Sequence, residues 1–211
     1  MKITSRSDRP SNMFAPLLDP ANLITILGAA LSISALHFAL TSQHRIALGL
    51  TAFAVAADWI DGVVARKTPV RIKFAAQVGP FIDCFADFLS GAVVPAAILY
   101  SLVPNTWVAF AGTLIVTLAG IIRLSYFNAF GVSDDNRSTG FPIVHNIPIL
   151  ASVSLVLIPG EPAFGIVIPM LIVFFAAMNV ASFPFPRGTA TATLVMTLLC
   201  LALGIANLIS A

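Results

Sequence analysis

Charged residues are scarce in this 211-residue sequence. Only 9% of the residues are charged, whereas 58% are hydrophobic; a soluble globular domain is about one quarter charged. The formal net charge of +2 is small, which argues against a large nucleic-acid-binding surface. The sequence therefore predicts a polytopic integral membrane protein without a nucleic-acid partner.

Cysteine is also rare, since only Cys84 and Cys200 occur, both in apolar stretches. Neither a disulfide framework nor a cysteine-based metal site is indicated. The chain shows no internal repeat and no low-complexity tract, and its first apolar run lacks a clear cleavage site. We expect a cytoplasmic or interfacial segment over residues 1–21 and one membrane domain over residues 22–211.

The sequence contains many apolar runs of roughly 20 residues, the length that crosses a bilayer. They lie at about 22–41, 45–65, 78–102, 106–129, 142–159, 163–182 and 189–209, separated by polar or Pro/Gly clusters. The run that begins near Thr189 is either one span or two shorter pieces. The predicted fold is an all-α bundle of six to seven transmembrane helices.

The basic residues indicate how the bundle is oriented. With the N-terminus in the cytoplasm and the spans alternating, Arg45 is the only one of the eleven basic residues on the outer side. The other ten lie on the cytoplasmic side, as the positive-inside rule requires. They are Lys2, Arg6, Arg9, Arg66, Lys67, Arg71, Lys73, Arg123, Arg137 and Arg187.

Four of the nine acidic residues lie within one stretch, between Asp58 and Asp87. Asp58 and Asp61 are three residues apart and Asp83 and Asp87 are four apart, so each pair shares a helix face. At about 1.5 Å per residue, both pairs lie near the cytoplasmic ends of their spans. Because carboxylates are costly in a membrane, such residues are functional-site candidates.

Small residues accompany both acidic pairs. Gly62 and Ala65 follow the first pair, and Gly79 precedes the second. Small side chains let two membrane helices approach closely, which would bring the four carboxylates together. Clustered carboxylate oxygens are the ligands that hard divalent cations prefer.

Written out, the stretch is Asp58-x2-Asp61-Gly62-x2-Ala65-Arg66-x12-Gly79-x3-Asp83-x3-Asp87. It resembles the signature of the CDP-alcohol phosphatidyltransferase family, D-x2-D-G-x2-A-R followed by G-x3-D-x3-D. The gap between the two halves is twelve residues here and commonly eight in the family; a cytoplasmic loop tolerates such an insertion. Pro20-Ala21-Asn22-Leu23-Ile24-Thr25 resembles the family's Pro-Asn-x-x-Thr with one extra residue.

The resemblance implies a set of site residues and cofactors. Metal ligands would be Asp58, Asp61, Asp83 and Asp87, holding two divalent ions, Mg²⁺ or Mn²⁺, with Asp87 also the general base. Residues contacting the CDP-lipid would be Asn22, Thr25, Asp58, Gly62, Ala65, Arg66 and Gly79. The family's chemistry is attack of an alcohol on the β-phosphorus of a CDP-lipid such as CDP-diacylglycerol, with CMP leaving; a homodimer among membrane lipids is also implied.

Other segments resemble the serine-using branch of the family, the phosphatidylserine synthases. They are residues 81–96, the Arg123-Leu-Ser-Tyr-Phe-Asn128 segment, Thr139-Gly-Phe-Pro142 and residues 178–186. The branch has a second arginine where Tyr126 stands here. L-serine is therefore the expected acceptor, with Arg123 and Arg137 as candidates to bind the acceptor or a lipid phosphate.

Two alternatives stay open at this point. The same chemistry could use inositol, inositol phosphate or glycerol phosphate as the acceptor. A divalent cation transporter could also use clustered acids, although such sites usually lie near the membrane midplane in chains with internal repeats. A location in the cytoplasmic membrane, with the site facing the cytoplasm, is expected in the enzymatic interpretation.

Overall fold

The computed structural model describes residues 12–68, 73–133, 135–186 and 188–211, and these are almost entirely helical. After a short 3-10 turn at Ala15–Leu18, the helices follow in chain order. They are α1 (Pro20–Leu40), α2 (His44–Lys67), α3 (Lys73–Phe88), α4 (Val94–Leu102), α5 (Thr106–Phe130), α6 (Asn146–Val156), α7 (Pro162–Val180) and α8 (Ala190–Ile209).

The predicted all-α membrane bundle is confirmed. Among the described residues, six helical segments are long and apolar enough to cross a membrane by length and composition: α1, α2, the segment Phe74–Leu102, α5, α7 and α8. The run after Thr189 is a single 20-residue helix, α8. The predicted run 142–159 corresponds to a shorter apolar helical segment at Ile143–Val156, which is not among the six long ones.

Helix α2, which carries the first acidic pair, is the centre of the bundle. Helices α1, α6 and α8 all pack against it. At Gly28 on α1, an added Cβ would lie 3.3 Å from the carbonyl oxygen of Ala54 on α2. This close approach fixes α1 against the segment of α2 that leads to Asp58.

Helices α3 and α4 form one continuous rod joined by a π-helical turn at Leu89–Val93. Pro95 has no backbone N–H, so the carbonyl of Gly91 loses its usual donor four residues on. An added Cβ at Gly91 would lie 2.6 Å from Cγ1 of Ile143. The turn therefore follows directly after Asp83 and Asp87 and packs tightly against the 3-10 turn Ile143–His145.

Arg45, the one basic residue predicted on the outer side, joins three helix ends. From the start of α2 its guanidinium donates to the carbonyls of Ser154 (3.1 Å) and Leu157 (3.1 Å) at the end of α6. It also donates to the carbonyl of Ser210 (2.6 Å), just after α8. Although α6 is short, its C-terminal end therefore lies level with the start of α2 and the end of α8.

Two loops that the sequence presents only as breaks pair as a small ribbon. Strand β1 (Arg137–Thr139) runs antiparallel to β2 (Pro184–Pro186), with Ser138 opposite Phe185. The loops follow α5 and α7, so the ribbon ties these two helices together. The predicted cytoplasmic residues Lys2, Arg6, Arg9, Arg71 and Arg187 lie outside the described residues.

Candidate metal and substrate site

Three of the four predicted ligand carboxylates meet between α2 and α3. One oxygen from each of Asp58, Asp83 and Asp87 lies within 4.8 Å of the others. These carboxylates therefore face one another across the contact between α2 and α3. The four-residue spacing of Asp83 and Asp87 places both on the face of α3 that meets α2.

Asp61 is held differently from the other three. It is buried one turn beyond Asp58, and its Oδ2 accepts a hydrogen bond from the hydroxyl of Thr25 on α1. Its charge still acts on both Asp58 and Asp87. Asp61 thus borders the group of three and is anchored to α1.

The donor set suits a hard divalent cation. The ligand atoms are all carboxylate oxygens, and Oδ1 of Asp87 is buried with no hydrogen-bond partner among the described residues. Ionised carboxylates this close together repel one another unless a cation or a shared proton compensates them. Mg²⁺ and Mn²⁺ favour such oxygen ligands, so Asp58, Asp83 and Asp87 could hold a metal.

The other residues predicted for the CDP-lipid lie around this group. Asn22 is buried, and its side-chain amide donates to the carbonyls of Pro16 (2.9 Å) and Ala75 (3.0 Å), linking α1 to α3. Gly62 and Ala65 are half-buried on α2, and the guanidinium of the exposed Arg66 lies beside Gly62. Gly79 is buried on α3. These positions border the carboxylates on the side of the α2–α3 connection.

Asp87 also lines a cavity of about 180 Å³. Asp87 is the one carboxylate that lines it among the described residues, and Arg123 and His145 line it as well. The ribbon covers the cavity with Ser138 and Phe185. The volume is below the range of about 300–1,000 Å³ typical of drug-sized ligands, so it suits a small molecule.

Arg123 is fixed at the cavity wall although it is only 5% exposed. Its Nε donates to the carbonyl of Phe141 at 3.2 Å, and Nη2 lies 3.5 Å from Oγ of Ser138. The guanidinium carbon also lies 5.4 Å from the ring centroid of Phe127. A buried cation close enough to Asp87 to feel its charge gives the cavity one positive and one negative group.

Arg137, the second candidate for acceptor or phosphate binding, lies elsewhere. It is exposed on β1 and lines a separate surface pocket that also contains Tyr126 and Phe130. The structure therefore brings Arg123, and not Arg137, to the cavity beside Asp87.

Several cavity residues are absent from the predicted site. His145, Ser138 and Phe185 come from a 3-10 turn and from the two ribbon strands. One sequence signal pointed to His145: it lies three residues after Pro142, at the start of the short apolar segment. Nothing in the local sequence indicates that the loops after α5 and α7 meet over one cavity.

The sequence is similar to proteins of known family. The family model described as CDP-alcohol phosphatidyltransferase matches residues 18–210. A CDP-diacylglycerol–serine O-phosphatidyltransferase of Mycobacterium tuberculosis is 30% identical over 119 residues, which cover 56% of this chain and 40% of that protein.

Two further relatives carry different names. An archaetidylserine synthase of Methanothermobacter thermautotrophicus is 32% identical over 138 residues, covering 65% of this chain and 57% of the relative. A phosphatidylcholine synthase of Brucella melitensis is 27% identical over 161 residues, covering 75% of this chain and 56% of the relative. The matches thus span between two fifths and three fifths of the length of these three relatives.

Proposed function

Because the chain belongs to the CDP-alcohol phosphatidyltransferase family, we propose that it transfers the phosphatidyl group of CDP-diacylglycerol to L-serine and releases CMP. The observation that carries the proposal is the position of Asp87. Its side chain belongs to the three-carboxylate group and also lines the cavity that contains Arg123. One residue thus connects a metal-type site with a pocket for a small acceptor.

The reaction follows from this arrangement. The serine hydroxyl oxygen bonds to the phosphorus that carries the diacylglycerol, and the bond from that phosphorus to the bridging oxygen of the pyrophosphate breaks. CMP leaves with the bridging oxygen, and the hydroxyl proton passes to Asp87. A carboxylate within hydrogen-bond reach of the attacking hydroxyl can act as such a base.

Asp58, Asp61, Asp83 and Asp87 would hold the divalent ions, two Mg²⁺ or Mn²⁺. When bound, these ions neutralise the pyrophosphate and stabilise the attacking and leaving oxygens. Thr25 would orient Asp61 through its hydroxyl, which makes its contribution to CDP-lipid binding indirect.

The remaining residues would receive the CDP-lipid. Gly62, Ala65 and Gly79 would leave room for the cytidine, and Arg66 would face a phosphate. Asn22 would hold the start of α1 against α3 through its two carbonyl contacts. Asp58 would contribute to CDP-lipid binding by holding a divalent ion.

Serine is favoured over other acceptors because the cavity contains a buried guanidinium. Among the described residues, Nη1 of Arg123 makes no hydrogen bond, so it is available for an anionic group on the acceptor. Serine offers a carboxylate, whereas choline and inositol have no anionic group. Inositol phosphate and glycerol phosphate are anionic but larger, and Arg137 lies away from the cavity and offers them no second cation there.

The protein would act in the cytoplasmic membrane with this site facing the cytoplasm, surrounded by membrane lipids and as a homodimer. Family membership favours phosphatidyl transfer over cation transport.

The acceptor is tested in detergent with CDP-diacylglycerol and Mg²⁺ or Mn²⁺. The protein is supplied with equal concentrations of serine, choline, inositol, inositol phosphate and glycerol phosphate. The lipid products are then identified by mass spectrometry. Phosphatidylserine as the main product supports the proposal. If another lipid is the main product, the acceptor is the alcohol in that lipid and not serine.

A further inference from the structure

The imidazole of His145 has unused hydrogen-bonding capacity. Its Nδ1 is buried without a hydrogen-bond partner among the described residues, and the residue lines the cavity beside Asp87 and Arg123. Buried polar atoms are nearly always paired in folded proteins. Because His145 also lines the cavity, its unused hydrogen-bonding capacity points to a ligand that the cavity receives.

Aromatic rings hold the imidazole in place. The ring centroids of Trp59, Phe141 and Phe185 lie 5.7, 5.9 and 5.6 Å from that of His145, all in edge-to-face geometry. Trp59 comes from α2, next to Asp58, whereas Phe185 comes from the ribbon. The imidazole is thus restrained by elements on both sides of the site, which prepares it for a directional contact.

Three polar groups with unused bonding capacity line this one cavity, and they differ in chemistry. They are the side chains of Asp87, Arg123 and His145, and Oδ1 of Asp87 and Nδ1 of His145 have no hydrogen-bond partner among the described residues. Arg123 lies within electrostatic range of both Asp87 and His145. A base, a cation and a neutral acceptor nitrogen match the hydroxyl, carboxylate and ammonium groups of serine.

We propose that His145 is a specificity residue that accepts a hydrogen bond from the ammonium group of the amino-acid acceptor. The inference rests on the proposed function and adds to it the recognition of the amine. A neutral imidazole offers one acceptor nitrogen, and a primary ammonium can donate to it. Choline has no N–H to donate, and glycerol phosphate has no amine, so each would leave His145 unpaired. A site built to hydrogen-bond a group discriminates strongly against analogues that lack it.

The test compares L-serine with 3-hydroxypropanoate, which keeps the hydroxyl and carboxylate and lacks the amine. The ratio of their kcat/KM values is measured for the wild type, His145→Phe and His145→Gln. Where 3-hydroxypropanoate turns over too slowly, its inhibition constant against serine replaces its kcat/KM. His145→Phe keeps an aromatic ring for the cluster and removes the nitrogens, whereas His145→Gln keeps a hydrogen-bonding group and removes the ring. Because each ratio is taken within one variant, differences in the fraction of folded protein cancel.

We expect the preference for serine to fall about tenfold or more in His145→Phe and to be retained at least in part in His145→Gln. An unchanged ratio in His145→Phe would mean that the imidazole only packs, and would overturn the inference. If the wild type releases no CMP with serine, the proposed function itself fails. That result is distinct from an active enzyme whose preference is insensitive to His145.

Discussion

The hydroxyl of Thr25 on α1 donates a hydrogen bond to the carboxylate of Asp61 on α2. Asp61 is thereby oriented from a neighbouring helix, one turn from the three clustered carboxylates. We expect Thr25→Val to raise the Mg²⁺ concentration needed for half-maximal activity about tenfold, because a hydrogen bond to a charged group contributes roughly 1.5–3 kcal/mol. Thr25→Ser keeps the hydroxyl and should behave like the wild type. Equal metal requirements in Thr25→Val and the wild type would show that this contact has no part in metal binding.

Arg123 is predicted to select acceptors that carry a carboxylate. Arg123→Gln should lower kcat/KM for serine by about 10- to 100-fold, since charge-assisted hydrogen bonds are worth roughly 1.5–3 kcal/mol. The same variant should change kcat/KM for ethanolamine, which has no carboxylate, much less. Steady-state kinetics with both acceptors measure the two kcat/KM values. An equal loss of kcat/KM for both acceptors would mean that Arg123 only stabilises the contacts with Phe141 and the ribbon.

Gly140 allows the loop after β1 to pass close to the end of α7. It has φ +76°, and an added Cβ would lie 2.5 Å from the carbonyl oxygen of Asn179. Gly131 has φ +65° but open space around it. Gly131→Ala should cost about 1–3 kcal/mol through backbone strain alone, and Gly140→Ala should destabilise the protein by more than Gly131→Ala because the clash with Asn179 is added to the strain. Thermal unfolding in detergent compares them, and equal destabilisation would argue against the steric contribution.

Arg45 is predicted to stabilise the fold without affecting chemistry. Its three bonds to helix-end carbonyls lie about 20 Å along α2 from Asp58, at 1.5 Å per residue. Arg45→Ala should lower the unfolding free energy by roughly 2–4 kcal/mol, while kcat well below the unfolding temperature stays unchanged. Arg45→Lys, which cannot reach all three carbonyls, should fall between the two. A large loss of kcat in folded Arg45→Ala protein would contradict this assignment.

Much of the bundle follows from local patterns in the sequence. A run of apolar residues must form hydrogen-bonded helix in a membrane, so the predicted run at about 106–129 agrees closely with α5 at Thr106–Phe130. The spacing of Asp83 and Asp87 likewise fixes a common face. Both results depend on residues close together in the chain.

Features that depend on distant residues could not be predicted in this way. The π-helical turn at Leu89–Val93 depends on how Gly91 packs against Ile143 as well as on Pro95. The ribbon pairs Ser138 with Phe185, two loop residues separated by α6 and α7. His145 becomes a cavity residue only because this ribbon and Trp59 enclose it.

The most direct test of the account is CMP release by the purified protein with CDP-diacylglycerol, Mg²⁺ and L-serine, compared between the wild type and Asp87→Asn. Asparagine keeps the size of the side chain but can neither accept the hydroxyl proton nor bind a metal as a carboxylate. The account predicts serine-dependent CMP release by the wild type and a loss of at least about 100-fold in Asp87→Asn. Comparable release by Asp87→Asn, or wild-type release that does not require serine, would contradict it.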